Sequence, residues 1–269
     1  MPPYIFISPE GINTMEPLWE EMCTWMKDYI HSFYSDDPKT QKGILLKEEH
    51  TGHVVAICRD LAEHLHLCPH DITLAQMLGL FHDIGRFSQF ARYHTFRDAE
   101  SVNHAVLGLQ TIDGLPLLQQ LSPQDQGILR FSIYNHNTQC ITPTKNKRQE
   151  SFAKLLRDAD KVDIYRVLSP MTAPADSSEC NSALVEKFIQ GEQCNYDNLH
   201  TINDYKLVRL LWVYDLNYAR SLEKIEQQGY IERLIAYMPQ TPALQKGYGR
   251  LRAYTAKRLR EPDEWACES

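Results

Sequence analysis

Residues 78–87 read LGLFHDIGRF. The apolar run that starts at Met77 ends directly in His82 and Asp83, and an ionised Asp beside such a run is costly unless it is paired or holds a metal. Asp83 has two oxygens and can bridge two ions, whereas His82 offers a single imidazole nitrogen to one of them. The plainer reading of the pair is a helix C-terminus emerging into water before Gly85. Working outward, four more stretches carry His or Asp: EEHTGHVVAICRDLAEHL (48–65), SVNHAVLGLQTI (101–112), ILRFSIYNHN (128–137) and LLRDADKVDIY (155–165). In chain order the candidate ligands are His50, His82, Asp83, His104, His136 and Asp160. Mixed imidazole and carboxylate ligation suits Mn, Fe, Co, Ni or Zn better than an all-oxygen Mg site. Two such ions sharing these ligands can activate one water between them.

Each stretch has a helical hydrophobic period, and helices are expected over about 15–34, 45–66, 73–85, 101–112, 123–136, 150–168, 182–190, 204–228, 231–238 and 242–260. Asp71 or Thr73 is the expected cap of the helix ending at the His-Asp pair, and Ser122 before Pro123 sets a later start. Gly43, Gly114 and Gly229 are read as stops or turns, and RFSQFARYHTFRDAES (86–101) as a loop. Only YIFIS at 4–8 resembles a strand. The expected fold is therefore all-α. An N-terminal segment and helix (1–44) precede the ligand-bearing core (45–168), and a helical C-terminal extension (169–269) packs on the same domain. The Pro- and Ser-rich stretch 169–182 is the loosest connection.

Composition narrows the class. At 269 residues, with 43% apolar and 23% charged, the chain is an ordinary globular one that can bury a generous core. No apolar run approaches the roughly 18 residues of a membrane span, and the start lacks a signal peptide's pattern. Seven scattered cysteines, none in a Cys-x-x-Cys pair, point to reduced thiols and a cytoplasmic setting. A net charge of −7 argues against wholesale nucleic-acid binding, so the basic tail KGYGRLRAYTAKRLRE is read as a solvated helix face.

Several positions have competitors. Val54, Ile57 and Leu61 form the inward stripe of their helix, with His50 on it and His53 near its edge, where it can serve the substrate from the rim. His104 precedes Gly108 by one helical turn, which permits close approach of a neighbouring helix; His136 ends a stripe set by Leu129 and Ile133. Near the last carboxylate, the period of Phe152, Leu156 and Ala159 favours Asp163 as the inward residue over Asp158 and Asp160. Arg92, His94 and Arg97 make a local positive cluster; Arg97 can contact substrate or pair with Asp98 or Glu100.

The ligand series resembles the HD-domain superfamily of metal-dependent phosphohydrolases over about 47–165, in the version with two additional histidines between the His-Asp pair and the last Asp. The family's first His opens a His-Ser/Thr-x-x-Val segment, which selects His50; its Ala-Asp-Lys-Leu-Asp pattern selects Asp160; its His-Asp-Ile-Gly-Lys/Arg pattern places Arg86 beside the metals. A fixed cation there can hold a phosphate oxygen and stabilise developing charge. The resemblance implies an HD-domain helical bundle, two divalent transition-metal ions, and Asp83 and Arg86 as catalytic groups. The implied reaction is hydrolysis of a phosphomonoester or phosphodiester, nucleotides included, by a metal-bridging hydroxide. Signatures of guanosine tetraphosphate hydrolases (His-Asp-x-x-Glu-Asp) and cyclic-di-GMP phosphodiesterases (His-His-Glu, Gly-Tyr-Pro) are absent. The alternatives are a di-iron oxygenase of the same superfamily and a non-catalytic nucleotide-binding signalling module; the complete ligand set disfavours the module, because such buried groups are costly without metal.

Overall fold

A computed structural model describes residues 15–169, 178–192 and 199–266. Its helices are α1 (Glu16–His31), α2 (Pro38–His64), α3 (Pro69–Phe81), α4 (Ile84–Tyr93), α5 (His104–Asp113), α6 (Pro123–Asn135), α7 (Lys147–Leu168), α8 (Ser182–Gln190), α9 (Ile202–Leu211), α10 (Ala219–Gln227), α11 (Tyr230–Ala236) and α12 (Pro242–Arg258). No strand occurs among the described residues, so the fold is all-α. The strand-like 4–8 and most of the loose 169–182 connection lie outside the described residues.

Local chemistry explains where the helices depart from the apolar period. Helix α2 begins seven residues before the expected 45, because Asp37 accepts the Thr40 N–H at 2.8 Å and Pro38 occupies the first turn. Gly43 is consequently no stop. It lies buried inside α2, where the Phe90 ring fills the space and a Cβ would approach that ring to 2.1 Å. Helix α3 starts at Pro69 after an extended Cys68, so neither Asp71 nor Thr73 caps it; Asp71 instead pairs with Arg148 at 2.5 Å. The stretch expected as a loop after Gly85 is helical through Tyr93, with Ile84, Phe87 and Phe90 buried on one face, and it ends at a left-handed His94. Ser122 does cap α6, Gly114 does close α5, and Gly229, at φ +65°, separates α10 from α11.

The expected helix over 204–228 is broken. Buried Asp158 accepts the backbone N–H groups of Asn217 (3.0 Å) and Tyr218 (2.9 Å) and the Asn217 amide (2.8 Å). Those donors are taken from the helical ladder, and the chain passes from α9 through a 3₁₀ turn, Trp212–Asp215, before α10 begins.

Two apolar cores result. The first gathers residues of α1 to α7, among them Met22, Leu61, Phe81 and Ile133; the second is built from α8 to α12. Helix α7 belongs to both, giving Phe152, Leu155 and Leu156 to the first and Val162 and Tyr165 to the second. Ile57 of α2 packs against both as well. A buried apolar side chain is worth about 1.5–3 kcal/mol, so α7 is stapled into both halves along its length.

Candidate metal centre

The candidate ligands converge from six helices. His50 lies on α2, His82 at the end of α3, Asp83 at the start of α4, His104 opens α5, His136 closes α6, and Asp160 lies on α7. The α3–α4 break at Asp83 turns its carboxylate into the middle of the group. Helix α5 comes close because Gly85 and Gly108 have no side chains: a Cβ on Gly85 would stand 2.2 Å from the His104 carbonyl oxygen. The close approach expected at Gly108 is thus made against Gly85 of α4.

Each imidazole is held from behind. His82 Nδ1 donates to the Gly79 carbonyl (2.8 Å) and His136 Nδ1 to that of Ile133 (2.6 Å). His50 Nδ1 donates to Asp163 (2.6 Å) and His104 Nδ1 to Asp98 (2.7 Å). With Nδ1 protonated by these partners, an assignment that rests on the hydrogen-bond network, every Nε2 presents a lone pair inward. His50 and His82 bring their Nε2 atoms to 3.2 Å, and His104 and His136 to 2.9 Å. Facing lone pairs at that range repel unless a cation lies between them. Nitrogens about 2.0–2.1 Å from one ion are spaced at roughly 3 Å in ordinary coordination geometry. The donor set therefore fits metal.

Asp83 joins the two pairs. Its Oδ2 lies 3.5 Å from His50 Nε2 and 3.6 Å from His82 Nε2, while its Oδ1 lies 3.3 Å from His104 Nε2 and 3.7 Å from His136 Nε2. Two triads able to hold an ion result, His50–His82–Asp83 and Asp83–His104–His136. Asp160 adds a fourth donor to the first, 3.1 Å from His50 Nε2 and 3.7 Å from His82 Nε2. Asp163, which periodicity alone would have turned inward, supports His50 from the far side, and Asp158 faces Asn217 instead.

The electrostatics agree. Burial pushes His82 and His104 down to about 4, so both are neutral at pH 7. Burial alone would raise Asp83, but Lys47, His82 and Arg86 among its neighbours hold it well below the usual carboxylate range. Asp160 is likewise lowered: burial pushes it up, but the His50 hydrogen bond and the His82 and His50 charges together outweigh burial. Neutral imidazole and ionised carboxylate are the forms that metals require. His50 runs the other way: despite burial and Lys47, the carboxylates Asp160 and Asp163 raise it, and a group so placed is suited to a neighbouring positive charge.

A cavity of about 530 Å³ opens beside the cluster. Asp83, His104, His136 and Asp160 line it together with Lys47 and Arg86, and Ile164, Val208, Leu211 and Trp212 supply an apolar part of the lining. Arg86 Nη1 donates to Gln89 (2.9 Å), to the Phe96 carbonyl (2.6 Å) and to Asp98 (2.8 Å). Its buried Nε has no acceptor and lies 3.5 Å from Asp83 Oδ1. Two expected substrate contacts lie apart from the cavity lining: Arg97 is 70% exposed and paired with Glu100, and half-exposed His53 lies nearest Glu49.

Residues overlooked in the sequence include Lys47, whose Nζ lies 2.6 Å from Asp83 Oδ2. It precedes His50 by one helical turn, a signal open to periodicity. Asp98 was weighed only as a partner for Arg97; it sits in a loop without period, and the whole α9 wall carries no motif.

The stretch 48–165 matches the family model of the HD domain. No curated protein and no solved structure matches the chain. The matched stretch begins inside α2, ends inside α7, and contains all of the ligand cluster. No described helix is long and apolar enough to cross a membrane. An all-α architecture, a buried His/Asp cluster of metal-binding form and the match over α2 to α7 agree: the stretch 48–165 is similar to the HD domain, whose typical member is a metal-dependent hydrolase.

Proposed function

We propose that this protein is a phosphohydrolase that holds two divalent transition-metal ions and cleaves a small phosphoester, nucleotides among the candidates. The observation that carries the reading is the division of Asp83: each of its oxygens faces a separate pair of imidazole Nε2 atoms at 3.3–3.7 Å, apart from the closer Lys47. Bound there, two ions supply a water acidic enough to attack near neutral pH and a Lewis acid for a phosphoryl oxygen. The chain's own residues provide the rest. Lys47 and Arg86 bring fixed positive charge to the part of the cavity where a phosphoryl group would lie. Arg86 is held by its three acceptors with its Nε 3.5 Å from Asp83 Oδ1, which fixes its charge beside the candidate ligands. Asp83 and Arg86 are accordingly the groups assigned to catalysis.

The test is metal content and turnover of the intact chain. Protein loaded with Mn should hold two ions per chain and release phosphate or a monoester from a phosphoester panel equally fast in air and under strict anaerobiosis. A requirement for both iron and oxygen, with no phosphoester cleaved by any metal form, would replace hydrolysis with oxygenation.

A further inference from the structure

The cavity lining has two origins. The ligand-bearing part comes from the family-matched stretch, whereas Val208, Leu211 and Trp212 belong to α9 and the turn after it, outside residues 48–165. Arg157, Lys161 and Asp215 also line the cavity. Two cations there would invite a second phosphate, but both are committed. Arg157 donates to the carbonyls of Asn135 (2.8 Å), Thr138 (2.5 Å) and Gln139 (3.3 Å) and to Asp215 (3.0 Å). Lys161 is bound to the same Asp215 oxygen. The carboxylate thus cancels the charge of these two cations, whereas Lys47 and Arg86 lie beside Asp83.

We propose that the α9 wall selects the substrate: a phosphoester with one phosphoryl group and a planar, apolar organic group that packs against Trp212. This rests on the phosphohydrolase reading of the same site. Three features support it. The volume lies within the roughly 300–1,000 Å³ of small-molecule sites, enough for a phosphoryl group and one ring system. The α9 part of the lining is aliphatic and aromatic, and an indole favours a flat partner by offset or edge stacking. The Asp215 clamp disfavours a further anion, since a polyphosphate would have to break two ion pairs to be recognised there.

Binding of phosphonates to the full chain loaded with two equivalents of Mn, followed by calorimetry, tests the proposal. Methylphosphonate offers the phosphoryl group alone, phenylphosphonate adds a ring, and 3-phosphonopropionate adds a second anion. Phenylphosphonate should bind roughly tenfold tighter than either, a preference of the size that buried aromatic contact supplies. Trp212→Ala should erase that preference and leave methylphosphonate affinity and metal content unchanged, while Trp212→Phe should keep most of it. Equal affinities in the wild type would overturn the proposal with no variant needed, and so would tighter binding of 3-phosphonopropionate. If methylphosphonate binds and the ring adds nothing, only the wall assignment falls; if no phosphonate binds, the phosphohydrolase reading falls and takes this one with it.

Discussion

The first ligand pair, His50 and His82, is closed in; the second, His104 and His136, looks out. Around His50 and His82 the donors number four, with Asp160 and one oxygen of Asp83, and neither imidazole reaches the cavity. His104 and His136 have only the other Asp83 oxygen, and both line the cavity. Their supports differ too. Asp163 behind His50 is fixed by Arg166 at 2.6 Å, whereas Asp98 behind His104 also holds Arg86 and Gln89. On the two-ion proposal, more carboxylate around the first position would hold its ion more tightly, and fewer donors at the second would leave coordination positions for water and substrate.

The largest effect tests what the halves share. Asp83→Ala should remove both ions and bring activity to background, read by elemental analysis of the purified protein. One ion retained at full occupancy would show that the halves do not depend on that carboxylate.

Next comes the contrast itself. His104→Ala should leave one ion per chain and cut turnover by roughly a hundredfold or more, since an open position for the reacting groups is lost. Loss of both ions, or of neither, would contradict the division.

Arg86→Ala removes a charge-assisted contact worth on the order of 3 kcal/mol, or roughly a hundredfold in rate. It also frees Asp98 from one partner, so the affinity of the second ion should weaken while that of the first holds. An unchanged rate with altered stability would assign Arg86 to the fold alone.

The supports can then be compared directly. Groups that orient a metal-bound His typically contribute 10–100-fold in metal affinity. Asp163→Asn should weaken the first ion and Asp98→Asn the second by about that factor. Stepwise metal titration separates the two, and a swap of the affected steps would invert the assignment.

The smallest effect is a pH slope. His82 and His104, one in each half, are pushed down to about 4, while unfolded histidine titrates near 6.5. Between those values the unfolded chain holds more protons, so metal-free protein should lose stability as the pH falls from about 6.5 toward 4. Raised His50 offsets part of this. Urea midpoints in chelator at pH 7 and 5 measure the slope, and His104→Gln should flatten it. A midpoint that rises on acidification would mean that these imidazoles carry protons in the fold.

His82, Asp83 and His136 were legible in the sequence, because a His or Asp at the end of an apolar helical stripe is visible as a break in period. The choice of Asp160 over Asp163 was legible only by resemblance: helical period pointed to Asp163, and the structure shows why, since Asp163 is the more deeply buried while Asp160 points to the imidazoles and the cavity. Helix α4 was missed because Gly85 and the polar Ser88–Gln89 pair masked Ile84, Phe87 and Phe90, which still recur every three residues. Gln89 is polar yet wholly buried, spent on Asp98, Ser101 and Val102. Asp98 and Trp212 were out of reach for another reason: each acquires its role from a contact across the fold, and no local pattern records that.

Gly85 carries one further consequence, at the level of the gene. A catalytic cluster tolerates errors of only about half an ångström, and a Cβ here would meet the His104 carbonyl at 2.2 Å and the Gly108 nitrogen at 2.7 Å. Both are backbone atoms and cannot swing aside, so any side chain must drive α5 away from α4 and carry His104 with it. Every single-base missense change of a glycine codon installs a residue with a Cβ. The position therefore has no conservative missense neighbour one mutation away, although Gly85 carries no side chain of its own to the cluster.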